Sequence, residues 1–126
     1  MSKYKAKKVT YDGYSFDSKK EMHRYRELRL LEKAGVVTEL ELQKRYELIP
    51  AQYESYARYG KKGNRLKDGQ RCVEKAVYYL ADFDYYQDGT HIVEDVKGYK
   101  GSTAYAVFAL KRKLMLFVHG IKIKEI

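Results

Sequence analysis

The sequence predicts a mixed α/β or α+β domain, a central sheet flanked by helices. Three observations carry that expectation. Two segments with helical apolar periodicity, near residues 18–34 and 103–118, lie on either side of several strand-like runs. The runs Val73 to Tyr86 and His91 to Lys97 are rich in β-branched and aromatic residues, and Asp88-Gly89 between them is a strong hairpin turn. At 126 residues the chain suffices for one domain, 1–126, with a real hydrophobic core.

The elements follow in order. Residues 1–9 form a basic arm, with four lysines in the first eight positions. YDGYSFDS reads as a turn or short hairpin around Asp12-Gly13 leading into a helix. Ser18 is a good N-cap with Glu21 three residues on, as in a capping box, and Gly35 ends the helix after Ala34. Tyr25, Leu28 and Leu31 are spaced for a buried face, leaving Lys19, Lys20, Arg24 and Arg26 as a basic outer surface. VVTELELQKRYELI, with Leu40, Leu42 and Tyr46, suggests one or two strands up to Pro50. Gln52 to Arg71 loses periodicity and holds six basic residues against two acids, as a long basic loop or a flexible hairpin would. After the two strong strands, Val107, Leu110, Leu114 and Phe117 form an apolar stripe on a second helix ending at Gly120, and IKIKEI alternates as a last strand.

Composition narrows the function. Formal net charge is +9, which favours a polyanionic partner, nucleic acid ahead of a membrane surface. Fourteen tyrosines and no tryptophan suit either base stacking or half-buried strands. No apolar run approaches the roughly 20 residues of a membrane helix, and no apolar segment follows the N-terminal lysines as a secretory signal requires. The single cysteine, Cys72, excludes an internal disulfide and a multi-cysteine zinc site. The expected location is the cytoplasm.

The stretch AVYYLADFDYYQDGTHIVEDVKG places Asp82, Asp84, Glu94, Asp95 and Lys97 inside the best strand candidates. Strand alternation puts Asp95 and Lys97 on one face and Glu94 on the other, and it puts Asp82 and Asp84 together opposite Phe83. If the hairpin pairs the two strands, an acid of the first converges with Asp95. Two close carboxylates repel unless a cation lies between them. Mg²⁺ suits such a pair, because it takes oxygen ligands and completes its shell with water and substrate phosphate. Lys97 then stands where it orients or deprotonates the attacking water, or stabilises charge on the phosphate.

Asp82 followed by Asp95-Val96-Lys97 after a short hairpin resembles the motif of the PD-(D/E)xK nuclease superfamily, with Leu80-Ala81 in place of the nominal proline. FDSKKEMHRYREL, LELQKRYELIP, YLADFDY, EDVKG, LKRKL and GIKIKEI together resemble the small phage and prophage nuclease-like family catalogued as a domain of unknown function (DUF1064). The resemblance runs from Tyr11 to Ile126 and is least firm over 52–71.

That resemblance implies a restriction-endonuclease-like core and a Mg²⁺-dependent DNA endonuclease of phage or prophage origin, with Mn²⁺ as a substitute. It implies metal binding by Asp82 and Asp95, with Glu21 as a third, direct or water-mediated, carboxylate, and catalysis by these three with Lys97. Branched DNA, as in Holliday-junction resolution during recombination, is the substrate it suggests, and a homodimer its assembly. Lys19, Lys20, Arg58, Lys61, Lys62, Arg65, Lys111 and Lys113 are the candidate nucleic-acid contacts. Backbone contacts of this kind favour structure selectivity over site specificity. Blander roles stand beside these: Glu21 as a capping residue, Asp84 as a solvated strand acid, Glu94 outside the site, Lys111 and Lys113 as a wet helix face, and the histidines and Cys72 as structural or exposed. Two alternatives remain, a nucleic-acid binder that does not cut and a single-strand DNA or RNA nuclease.

Overall fold

The fold is a computed structural model that describes residues 8–98 and 100–126. Most of the basic arm, residues 1–7, therefore lies outside the described residues. Val9–Tyr11 (β1) and Tyr14–Phe16 (β2) form a small hairpin whose turn residues, Asp12 and Gly13, both have positive φ. Lys19–Lys33 (α1) follows. Then come Val37–Ile49 (β3), Gln52–Tyr59 (β4), Arg65–Glu74 (β5), Val77–Gln87 (β6), Thr90–Asp95 (β7), Thr103–His119 (α2) and Lys124–Glu125 (β8). The central sheet runs β3-β6-β7-β8, antiparallel except for the parallel pair β7/β8. It is a mixed α+β fold.

The helix ends follow from local chemistry. Ser18 Oγ accepts from Glu21 N–H at 3.1 Å. At the other end Gly35 N–H bonds Glu32 O and Val36 N–H bonds Leu31 O, a Schellman closure that needs the positive φ of Gly35. In α2, Ser102 caps the start and left-handed Gly120 the end. Asp88 and Gly89, both at positive φ, turn β6 into β7.

Adjacent β7 residues show how the layers lie. Glu94 reaches Arg24 of α1 while Val93 packs in the cluster that includes Phe108 and Met115 of α2. Neighbouring strand residues point to opposite faces, so α1 and α2 cover opposite faces of the sheet. The α1 side holds Phe16, Tyr25, Leu28, Val37, Phe83 and Tyr85. The α2 side holds Leu48, Tyr79, Ala81, Val93, Phe108, Met115 and Ile123.

The neighbouring strands β3 and β6 both change sides along their length. In β3, Leu40 and Leu42 pack on the α1 side, but Tyr46 and Leu48, of the same parity, pack on the α2 side. In β6, Phe83 and Tyr85 face α1 whereas Tyr79 and Ala81 lie with α2. The change falls between the pairs Leu42↔Phe83 and Lys44↔Ala81, at Gln43 and Asp82. Gln43 has φ +54°, a conformation that re-aims a strand and is uncommon for a side-chain-bearing residue.

Several expectations need correction. The stripe Val107, Leu110 and Phe117 is exposed, Phe117 at 87%, and only Leu114 of that set packs partly against the core. The buried positions of α2 are Phe108 and Met115. This helix is apolar on most sides, so periodicity alone offered two stripes and the sheet selected the other. Arg24 is not outer surface; it is drawn in by Glu94. Val73 and Glu74 belong to β5, and β6 starts only at Val77. β7 ends at Asp95, so Val96 and Lys97 lie just past it, and the last strand shrinks to two residues. Of the two alternatives for residues 52–71, the hairpin holds and the loop does not: β4 and β5 pair antiparallel, with register shifts after Gln52 and after Tyr56.

Candidate active site

One end of the sheet opens into a cleft of about 770 Å³. Its walls come from the start of α1 (Lys20, Glu21), from β6 (Tyr78, Tyr79, Leu80 and Asp82), from Asp95 to Gly98, and from one side of α2 (Ala104, Val107, Phe108, Lys111). Glu21, Asp82, Asp95 and Lys97, the four residues singled out in the sequence, all line it. The fold thus brings together side chains from a helix, two strands and the segment just past β7, separated by up to 76 positions.

Asp82 sits where the strands change sides. Its Oδ2 accepts from Val96 N–H at 2.8 Å and its Oδ1 from the Gln43 amide at 3.3 Å. Burial, and after it the charge of Asp95, raises its pKa to about 7, against which the Val96 hydrogen bond pulls. An acid so placed holds a proton near neutrality unless a positive charge arrives.

Asp95 is 3% exposed. Tyr79, equally buried, donates its hydroxyl to Asp95 Oδ2 at 2.6 Å, and burial followed by the Asp95 charge holds that phenol protonated. Lys97 Nζ stands 2.7 Å from Asp95 Oδ1 but off the direction of a hydrogen bond. Among the described residues, then, Oδ1 has a charge partner and no hydrogen-bond donor. Lys97 Nζ also lies 4.0 Å from the Phe108 ring centre, a cation–π distance.

Glu21 serves its helix and faces the cleft at once. Its N–H is capped by Ser18, while its carboxylate accepts from Asp17 N–H at 3.2 Å, one residue earlier than a capping box requires. Burial raises its pKa, with Asp17 and Asp95 adding to that and the Asp17 hydrogen bond opposing it. Among the described residues no three His, Cys, Asp or Glu side chains are arranged to hold a metal ion. Two carboxylates remain, and Mg²⁺ commonly uses one or two with water and phosphate completing the shell. Asp95 Oδ1, buried beside the Lys97 ammonium, and the Asp82 carboxyl, whose pKa burial and the Asp95 charge raise, are hard oxygen donors of the kind Mg²⁺ takes. The donors present fit the ion.

The other acids are accounted for elsewhere. Asp84 does not share the site with Asp82. It accepts from Tyr46, pairs with His91 at 2.8 Å and lies 3.8 Å from Lys44 Nζ. Glu94, fully buried, takes two hydrogen bonds from Arg24 and one from Tyr85 on the opposite face.

Of the basic candidates, Lys20 and Lys111 line the cleft. Lys20 Nζ donates to the main-chain oxygens of Lys97 and Ile126, bracing the segment after β7. Lys19 and Lys113 are exposed and lie outside that lining, and Arg58, Lys61, Lys62 and Arg65 sit on the β4–β5 hairpin. Sequence reasoning missed Gln43, Arg45, Tyr78, Tyr79 and Ser102 at the cleft. Only Ser102 carried a local signal, as a polar residue heading an apolar run.

No helix is long and apolar enough to cross a membrane among the described residues. No curated protein and no solved structure matches this chain. Residues 1–122 do match one family model, described as "Protein of unknown function (DUF1064)". Nearly the whole chain is covered, and the protein belongs to that family.

Proposed function

We propose that this protein is a metal-dependent DNA endonuclease, selective for branched DNA such as a Holliday junction. The reading rests on one observation: Asp82, Asp95, Lys97 and Glu21 line a single cleft with Lys20 and Lys111. The resemblance to PD-(D/E)xK nucleases supports it, as does a net charge of +9.

Asp82 and Asp95 would hold Mg²⁺ or Mn²⁺, with Glu21 reaching it through water. Bound there, the ion would supply a polarised phosphate and a more acidic water. Tyr79 fixes the rotation of the Asp95 carboxylate by holding Oδ2. Lys97 orients the water that attacks phosphorus. Lys20 and Lys111, with the N-terminal end of α2 at Ser102, favour the negative phosphate at the cleft wall. The protein would work as a homodimer in the cytoplasm, in a host cell if phage-encoded, during DNA recombination.

The deciding experiment incubates wild type and Asp95→Ala with four-way junction, flap, duplex, single-stranded DNA and RNA, with Mg²⁺ or Mn²⁺. Junction cleavage by wild type alone, with binding kept by the variant, is the expected result. Equal cutting by both removes Asp95 from the mechanism. Preferred cutting of single strands or RNA reassigns the substrate. A second reading, a DNA-binding protein that does not cut, is favoured by the lack of a three-donor metal set among the described residues. It predicts a gel shift and intact DNA throughout.

A further inference from the structure

The β4–β5 hairpin pairs with no other strand, and no helix packs broadly on it among the described residues. Almost every one of its residues is exposed, including Tyr53, Tyr56, Tyr59, Leu66 and Val73. An isolated two-stranded hairpin is marginal in water. This one is held by its own cross-strand contacts. The Tyr56 ring lies over Gly69, where any Cβ would collide with it, and Arg71 stands 4.7 Å from the same ring while pairing with Glu54. Ser55 accepts from Gln70, and Arg65 covers Tyr59 and pairs with Asp68. These contacts maintain a shape that carries nothing of the core.

The hairpin's charge is not neutralised. Residues 52–74 hold six basic and three acidic side chains, and two of those acids pair with Arg71 and Arg65. Arg58, Lys61, Lys62 and Lys67 have no acid within 4 Å among the described residues. Lys61 and Lys62 occupy the tip, a turn closed by Gly60 N–H to Asn64 O at 2.8 Å. Eight residues of β4 extend about 26 Å, several times the depth of a B-DNA major groove. That groove, roughly 12 Å wide, admits a two-stranded ribbon, whereas the A-form RNA major groove is too narrow.

We propose that the β4–β5 ribbon is a separate duplex-DNA grip that enters the major groove with Lys61 and Lys62 leading and Arg58 and Lys67 on the flanking phosphates. It deepens the reading of the cleft by naming duplex DNA as what is held beside it, and it rests on the nucleic-acid part of that reading rather than on cleavage.

The test uses the full chain with Asp95→Asn in EDTA, so that DNA stays intact. Binding of a duplex DNA and of a duplex RNA of equal length is followed by fluorescence anisotropy across salt concentrations. The same measurements are made on Arg58→Ala/Lys61→Ala/Lys62→Ala/Lys67→Ala, whose fold is checked by thermal melting. DNA affinity should fall about tenfold or more, and the log–log salt slope should flatten by about two, for the phosphate contacts of Arg58 and Lys67. Guanine N7 atoms protected from dimethyl sulfate by the parent should become reactive with the variant. DNA binding within about twofold of the parent overturns the proposal, as does RNA duplex binding equal to DNA. Junction cleavage is read separately, on the chain with Asp95 intact and Mg²⁺ present: cleavage together with ribbon-independent binding removes only the ribbon, and ribbon-dependent binding without cleavage removes only the hydrolase.

Discussion

Tyr79 donates its hydroxyl to Asp95 Oδ2 from inside the sheet, and the two residues are each 3% exposed. Tyr79→Phe deletes the donor and leaves a buried carboxylate oxygen unpaired. The loss of stability is expected at about 1–3 kcal/mol in urea denaturation. Under the proposed function, metal-dependent cleavage falls about 10–100-fold while DNA binding is kept. Wild-type stability in the phenylalanine variant would show that the hydrogen bond does not hold Asp95.

Asp82 makes stability depend on pH in an unusual direction. Its pKa lies at about 7 in the fold against 3.8 for an ordinary aspartate, so between those values the folded chain holds a proton that the unfolded chain has lost. Stability therefore falls as pH rises through that window and levels off above it. Melting in EDTA at about pH 5 and about pH 8 checks this: Asp82→Asn should lose less on the way up than wild type. At the higher pH, Mn²⁺ should raise the melting temperature of wild type and leave Asp82→Asn nearly unchanged. Identical pH slopes for the two proteins would remove Asp82 as the cause.

Arg24 and Glu94 join α1 to the sheet at 2.6 Å, with the Glu94 side chain wholly inside. Arg24→Ala strands that carboxylate and is expected to cost about 3–5 kcal/mol. Arg24→Ala/Glu94→Gln should regain part of that loss, since the uncompensated charge is gone. Denaturation midpoints of the two variants decide it, and a double variant weaker than the single would contradict the charge argument.

The two stripes of α2 separate cleanly by mutation. Met115 has no exposure and Phe117 is 87% exposed. Met115→Ala should destabilise by about 2–5 kcal/mol, while Phe117→Ala stays within about 0.5 kcal/mol. Comparable losses at the two positions would mean that Phe117 is covered in solution.

Much of the site was legible because its signals are periodic or local. Alternation alone separated Glu94 from Asp95 and Lys97, and these do face α1 and the cleft respectively. The same alternation misplaced Asp84 beside Asp82. It assumed a regular strand, whereas β3 and β6 exchange faces at Gln43 and Asp82, and Asp84 finds Tyr46 and His91 instead. Nothing in the residue types around Gln43 announces a left-handed backbone. Tyr79 was one of fourteen tyrosines until the fold set it against Asp95.

The sequence by itself determined the ends of both helices, the turns at Asp12-Gly13 and Asp88-Gly89, the central sheet and the excess of positive charge. Caps and turns are settled by hydrogen bonds and φ preferences within about four residues, so no distant partner can overrule them. Only the tertiary structure decided which stripe of α2 is buried, that Arg24 leaves the surface for Glu94, and that Asp82 and not Asp84 meets Asp95. Each of those outcomes is a competition among side chains far apart in sequence for the same buried space or charge, and the winner is set by which surfaces the sheet presents.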